Sequence, residues 1–479
     1  MFKDTKHAEV FNFFREISDI PRGSGNEKGI ADFLVDFAKK RGLYCVRDEA
    51  NNVFIRKHAS SDEFSVKAPV VLQGHTDMVC EADAGIEHDF LKDPIEFIRN
   101  GDIITANGTT LGADNGVAVA IMMALLDSDT IPHPELECLF TSSEETGMDG
   151  MTAFDTSLMK SCRMINLDSA GEGVATVSCA GGVRSDFTYV PETVEVPDNV
   201  TFYELKLAGF YGGHSGEDIN LGRANAIESV ARALRFVREL TPVYLVNWYG
   251  GEKDNAIPRE CKTVFAVSEA VQLEEILQKV RSIIKRELIT DDSAFELDCW
   301  CCDKAEKVIS SASSDKIIDF VSSLHSGPVM MCRGIDNLVE TSYNLSVIRV
   351  STDSLKITVT SRSSVEDSLD DMETRMLSIG RLAGFDVKNH SRYPGWKYAE
   401  VSPMRDVYLQ VYRDLFGCDG KAVGIHAGLE CGLLMKRVPD MDIISIGPDI
   451  KDLHSPSESL GIASLDRLYD IVCEILKRV

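Results

Sequence analysis

The sequence predicts an α/β domain built on a mostly parallel sheet, with an α+β domain inserted into it. Three observations carry that prediction. Short apolar runs at 69–72, 136–141 and 163–167 alternate with helical stretches, the pattern of strands joined by helical crossovers. After Gly181-Gly182 the pattern changes to half-exposed alternating strands and long amphipathic helices. Near Ser402 the first pattern returns, so 1–183 and 401–479 form the α/β domain and 184–400 the insert.

The elements follow in order. Residues 8–16 mix apolar and polar side chains at helical spacing and predict a first helix. Pro21-Arg22-Gly23-Ser24-Gly25-Asn26 reads as a turn, with Asn26 capping a second helix that runs to Arg41. Gly23-Ser24-Gly25 lacks the Gly-Lys-Ser/Thr ending of a phosphate loop, and no apolar strand precedes it. Strands are predicted at 53–55 and 69–72, a buried helix at 116–126, and strands at 136–141 and 163–167. The insert opens with strands at 184–190 and 201–207, a helix at 224–240, a strand at 263–268 and a helix at 273–288. A second round has strands at 345–351 and 354–361 and a helix at 368–383, which predicts two subdomains of similar element order. The chain closes with a helix at 405–416, a short strand at 422–424, a buried strand at 442–446 and an amphipathic helix at 463–478.

Composition narrows the function. The 479 residues carry a net charge of −26, a poor surface for nucleic acid or for an anionic membrane, both of which call for a basic footprint. The acidity suits solubility and cationic ligands such as divalent metals. The 13 cysteines are odd in number and follow no repeating frame, and Cys299-Trp300-Cys301-Cys302 has no second pair at zinc-finger spacing. Met1-Phe2-Lys3-Asp4-Thr5 lacks the apolar core of a signal peptide, and no run approaches the roughly 20 apolar residues of a membrane span. A cytoplasmic protein with reduced thiols and neither nucleic-acid nor membrane partners is expected.

Seven residues form the candidate site: His75, Asp77, Asp114, Glu144, Glu145, Asp168 and His454. Most stand at or just past the end of an apolar run, where an α/β sheet opens its crevice. Two metal ions sharing a water need one bridging carboxylate, further His or carboxylate ligands on each ion, and a separate carboxylate to move the proton. Adjacent Glu144 and Glu145 point differently, so one holds metal while the other faces the water. Asp77, two residues beyond His75, lies on the same side of an extended segment and can orient the imidazole. Asp114 sits in a glycine-flanked turn that opens a buried helix. Each residue alone has an ordinary structural explanation; their joint occurrence points to a metal-dependent hydrolase.

The run Gly74-His75-Thr76-Asp77-Met78-Val79, with Asp114, Glu144-Glu145, Asp168 and His454, resembles the M20 metallopeptidase family. Leu111 to Val117, Gly212-Gly213-His214-Ser215-Gly216, Gly428-Leu429-Glu430-Cys431-Gly432 and Ile446-Gly447-Pro448-Asp449 resemble its aminoacyl-histidine dipeptidase branch. The resemblance covers most of the chain. It implies two divalent ions, zinc foremost with manganese or cobalt as alternatives: His75 and Asp168 on one, Glu145 and His454 on the other, Asp114 bridging. It implies Glu144 as general base and acid, Asp77 as the residue orienting His75, and His214, Asn255 and Arg362 as substrate-binding residues of an enlarged lid. Arg362 would take the substrate carboxylate. The activity implied is hydrolysis of Xaa-His and other dipeptides, in a protein for which a homodimer is favoured. Two other readings use the same motifs, an N-acyl amino acid deacylase and a peptide-binding protein that has lost its chemistry. The chain departs from the family pattern at Ala170, where relatives often carry an acidic residue.

Overall fold

The structure, a computed structural model, describes residues 2–268, 273–288 and 294–479. Contacts divide the chain into two units, one of 1–179, 398–424 and 429–479, the other of 180–397 and 425–428.

The first unit is built on an eight-stranded sheet. Its order is Tyr44–Arg47, Val53–Lys57, Leu136–Thr141, Val70–His75, Arg163–Asn166, Asp442–Ile446, Val174–Cys179 and Lys421–Ile425. The four strands from Leu136–Thr141 to Asp442–Ile446 run parallel. The expected mostly parallel sheet is therefore found at the centre, and the flanks correct it. Tyr44–Arg47, Val53–Lys57 and Val174–Cys179 pair antiparallel with their neighbours. A short turn at 48–52 can join only antiparallel strands, whereas parallel neighbours need a long crossover. Val70–His75 and Leu136–Thr141 are buried along their whole length, as central strands covered on both faces must be.

The helix Ala113–Asp127 packs on Val70–His75 and is apolar on every side, with buried residues from Val117 through Leu126. Asp114 and Asn115 have non-helical backbones, so the regular helix starts after them. The Asp114–Asn115 peptide is cis. At the second helix, Lys28–Lys40, the N-cap is Glu27; Asn26 instead donates to the Pro21 carbonyl, which closes the preceding turn.

The second unit holds a nine-stranded antiparallel sheet. The two rounds of elements expected from the sequence share this one sheet. Tyr244–Gly250 pairs with Val339–Val350, Trp248 opposite Val350, and fuses both rounds of elements into one sheet. One apolar core spans the fusion, with Leu205, Ile227, Trp248 and Phe265 from one half and Ile348, Ile357 and Phe385 from the other. Each half alone would expose a long edge strand, and the pairing removes both edges. A small ribbon, Gly213–His214 on Ala256–Ile257, stands apart from that sheet. All 13 cysteines are free thiols. No helix among the described residues is long and apolar enough to cross a membrane.

Candidate metal centre

The parallel strands deliver the first group of side chains. His75 ends Val70–His75, Asp168 follows Arg163–Asn166, and Glu144 and Glu145 follow Leu136–Thr141. Gly74 lets the helix approach: a Cβ there would lie 2.4 Å from both Ala118 Cβ and Asn115 Oδ1. Asn115 receives the His75 N–H at 3.2 Å and donates to the Leu167 carbonyl at 2.7 Å, tying three segments together.

Asp114 lies between two histidines. Its Oδ1 is 3.2 Å from His75 Nε2 and its Oδ2 is 3.2 Å from His454 Nε2. Asp168 Oδ1 stands 3.3 Å from His75 Nε2, and Glu145 Oε2 3.2 Å from His454 Nε2. Two triads result, His75–Asp114–Asp168 and Asp114–Glu145–His454, each with ligand atoms within 4.8 Å of one another. Glu144 joins His75 and Glu145 in a third such group. The donor set fits two divalent ions sharing one carboxylate. Glu145 Oε1 is buried without a hydrogen-bond partner, a cost that a cation would relieve.

Asp77 is fully buried, with Oδ1 3.4 Å from His75 Nδ1. It also accepts the Glu144 N–H at 3.1 Å, the Glu145 N–H at 3.3 Å and the Ser24 hydroxyl at 2.7 Å. One carboxylate thus fixes both an imidazole and the Glu-Glu turn.

The charges are crowded. Burial opposes protonation of His75, but Asp168, Asp114 and Asp77 outweigh it and hold the imidazole's pKa well above normal. Hydrogen bonds to Asp114 and Glu145 raise His454 to about 10. Burial raises Asp168 to about 6 against the pull of His75. Burial also lifts Glu144 well above the carboxylate range, opposed by His75 and reinforced by Asp168.

The other three candidates lie in the second unit. His214 sits on the small ribbon, opposite Ala256. Glu217 N–H donates to His214 Nδ1 at 3.2 Å, so the neutral ring carries its proton on Nε2. Burial, then Arg362, lowers its pKa to about 4. The Asn255 carbonyl accepts the Ser215 N–H at 2.8 Å, and Ser346 and Thr360 hydroxyls hold the adjacent Asp254 carbonyl at 2.7 Å each. Arg362 is buried, 5% exposed, and donates to Tyr393 Oη at 2.8 Å and to Ser215 Oγ at 3.4 Å. Its partners there are neutral hydroxyls rather than carboxylates.

Residues 71–478 match the model of peptidase family M20/M25/M40. The chain belongs to that family. It is 35% identical to the cytosol non-specific dipeptidase of Escherichia coli K12 over 98% of this chain and 97% of that protein. The crystal structure of aminoacylhistidine dipeptidase from Vibrio alginolyticus superposes with a TM-score of 0.94 at 33% identity, covering 100% of this chain and 98% of that one. Aminopeptidase PepT of Bacillus cereus shares the fold alone, with a TM-score of 0.58 at 14% identity over 99% of this chain and 98% of that one.

In this M20/M25/M40 peptidase two groups near the candidates had no role in the sequence reading. Glu430 is fully buried beneath the ligands; its Oε2 accepts from Gln73 Nε2 at 2.5 Å and from Thr141 Oγ1 at 2.7 Å. From there the polar chain continues. Asn166 donates to Gln73, Ser445 donates to Asn166, and Asp168 N–H donates to Asn166 Oδ1 at 3.2 Å. Burial pushes Glu430 up to about 8, so it keeps its proton at neutral pH. His426 is buried in the second unit with Nε2 2.7 Å from Ser342 Oγ, and burial, then Arg362, lowers it to about 3. Glu430 lay within a motif already noted; nothing in the local pattern marked His426.

Proposed function

We propose that this peptidase is a metal-dependent dipeptidase acting on aminoacyl-histidine and other dipeptides in the cytoplasm. His75 and Asp168 hold one divalent ion, Glu145 and His454 the other, and Asp114 bridges. Zinc is the metal proposed first, with manganese and cobalt as alternatives that the same imidazole and carboxylate ligands accept. The observation that carries the reading is Asp114, whose two oxygens each face a separate histidine at 3.2 Å. Dipeptides and the cytosol enter through the names of the Escherichia coli and Vibrio relatives. Thirteen free thiols agree with a reducing compartment.

When bound, the two ions lower the pKa of a water and polarise the scissile carbonyl. Glu144 takes the water's proton and returns it to the leaving amine nitrogen. The residues around it favour that role: burial and neighbouring carboxylates raise its proton affinity, and Asp77 fixes its backbone. Asp77 holds the His75 ring, so that Nε2 faces Asp114 and Asp168. In the second unit, His214 offers an Nε2–H to the developing oxyanion, and Asn255 and Arg362 grip the substrate. Arg362 takes the C-terminal carboxylate, for which a guanidinium fork is suited.

The test is a substrate panel: carnosine, Leu-His, Gly-Gly, a tripeptide and an N-acetyl amino acid, after chelation and then with zinc restored. Zinc-restored cleavage of the dipeptides alone is expected. Turnover of the acetylated compound alone would replace the reading with a deacylase, and silence of the zinc-loaded protein would replace it with a binding protein.

A further inference from the structure

Glu458 and Arg22 are buried, each 2% exposed, and neither belongs to the candidate ligand groups. They grip one stretch of backbone from two sides. Glu458 Oε2 accepts the Leu111 N–H at 2.8 Å and the Gly112 N–H at 2.9 Å, and its Oε1 accepts the Asp114 N–H at 3.1 Å. Arg22 donates to the Gly112 carbonyl at 2.5 Å and to the Thr76 and Asp77 carbonyls at 3.1 and 3.3 Å. Gly112, at φ 68°, makes room for this: a Cβ there would lie 2.5 Å from Arg22 Nη2.

Glu458 also terminates the loop that carries His454. The Ser455 hydroxyl holds the Asp452 carbonyl at 2.7 Å, and the Glu458 N–H holds the Ser455 carbonyl at 3.0 Å. Asp452 and His454 both have positive φ, so the loop has a defined, uncommon path. The His454 side chain is half exposed and meets Asp114 and Glu145 through Nε2. Its position relative to Asp114 also depends on backbone, closed at its base by the pairing of Ile450 and Lys451 with Leu460 and Ser459, and the Glu458 side chain joins that loop to the Asp114 turn.

We infer that Glu458 is a positioning residue that clamps the Asp114 turn to the His454 loop, so that the ion shared by Asp114, Glu145 and His454 binds tightly only while the clamp is made. This rests on the metal reading above. The clamp needs two acceptor oxygens, because three N–H groups converge on them. A glutamine would turn an N–H₂ toward donors, whereas an aspartate keeps the charge on a shorter arm. Asp114 belongs to both triads, but His75 has further holds of its own, Arg22 on Thr76 and Asp77 and Asn115 on His75, whereas the His454 loop is tied to the Asp114 turn through Glu458.

The experiment is zinc titration of the full-length protein against a chromophoric chelator, without substrate, for wild type, Glu458→Gln and Glu458→Asp. Partners behind metal ligands typically change affinity about 10–100-fold. The expected result is a second-ion affinity reduced by that factor in Glu458→Gln, a smaller loss in Glu458→Asp, and, because Asp114 is shared while His75 keeps its own holds, a first-ion loss several-fold smaller than the second. Saturating zinc should then restore kcat of the glutamine variant to near the wild-type value with KM unchanged. Equal weakening of both ions, unchanged affinity for both, or a kcat that stays low at saturating zinc would each overturn the clamp. If Glu458→Gln does not fold, Glu458→Asp alone decides by the same two affinities. Wild-type protein that binds no zinc would overturn the metal reading itself, a separate outcome from loss of the clamp.

Discussion

The candidate-site histidines of the first unit and the buried pair His214 and His426 of the second are pushed in opposite directions by the same surroundings rule. Burial alone lowers the pKa of an imidazole. At His75 and His454 carboxylates reverse that and raise both rings, His454 to about 10. At His214 and His426 burial prevails and Arg362 adds to it, with Asp218 offsetting only part of the effect at His214, and the values fall to about 4 and about 3. The first region has an excess of acid and calls for cations. The second has a buried guanidinium among hydroxyls and calls for an anion. That opposite sign of uncompensated charge is what supports the proposal of a metal centre in the first region and of a carboxylate cradle at Arg362 in the second.

The largest expected effect tests the acid-rich side. Glu144→Gln should lower kcat by about 10²–10⁴-fold, the range for loss of a general base, while both ions stay bound by plasma-emission analysis. Ion loss in this variant would make Glu144 a ligand instead. Next comes the anion cradle. Arg362→Met should reduce kcat/KM on a dipeptide by about 10–100-fold, the worth of a charged hydrogen bond. The same dipeptide as its C-terminal amide should be cleaved equally by variant and wild type. An equal loss on the amide would assign Arg362 a purely structural task.

The smallest effect is on stability. The folded pKa of His426, about 3, lies below the free value of 6.5, so acid protonates the unfolded chain first. Its contribution is whole above about pH 6.5 and is lost as pH falls toward 3, costing about 2 kcal/mol by about pH 5. Urea midpoints at about pH 7.5 and about pH 5 should therefore draw together in His426→Asn by about that amount. An unchanged gap would mean that His426 is not held neutral.

Much of the first unit could be read from sequence because its signals are local. His75, Asp168 and the Glu144–Glu145 pair each follow an apolar run that forms a parallel strand, and parallel strands present their ends together. Asp114 stood out by its flanking glycines. The fusion of Tyr244–Gly250 with Val339–Val350 was not legible, since nothing in either strand names so distant a partner. Glu430, Glu458 and Arg22 were not legible for another reason: in sequence a buried charge looks like a surface charge, and only the far-off donors and acceptors reveal it. His426 sits within 401–479 yet packs with the second unit, a four-residue excursion at 425–428 without compositional mark.

The polar chain beneath the ligands has a consequence for how the sheet assembles. Gln73, Asn166 and Ser445 lie side by side on three neighbouring parallel strands, in register with one another. A slide of one residue would present Leu72 or Gly74 in place of Gln73, leaving the buried Glu430 with Thr141 alone and the Asn166 amide N–H without its acceptor. Apolar strands such as Val70-Val71-Leu72 adhere to one another in several alignments; the polar rung accepts only one. The greasy part of the sheet supplies the adhesion, and this single rung sets the phase in which His75 and Asp168 meet.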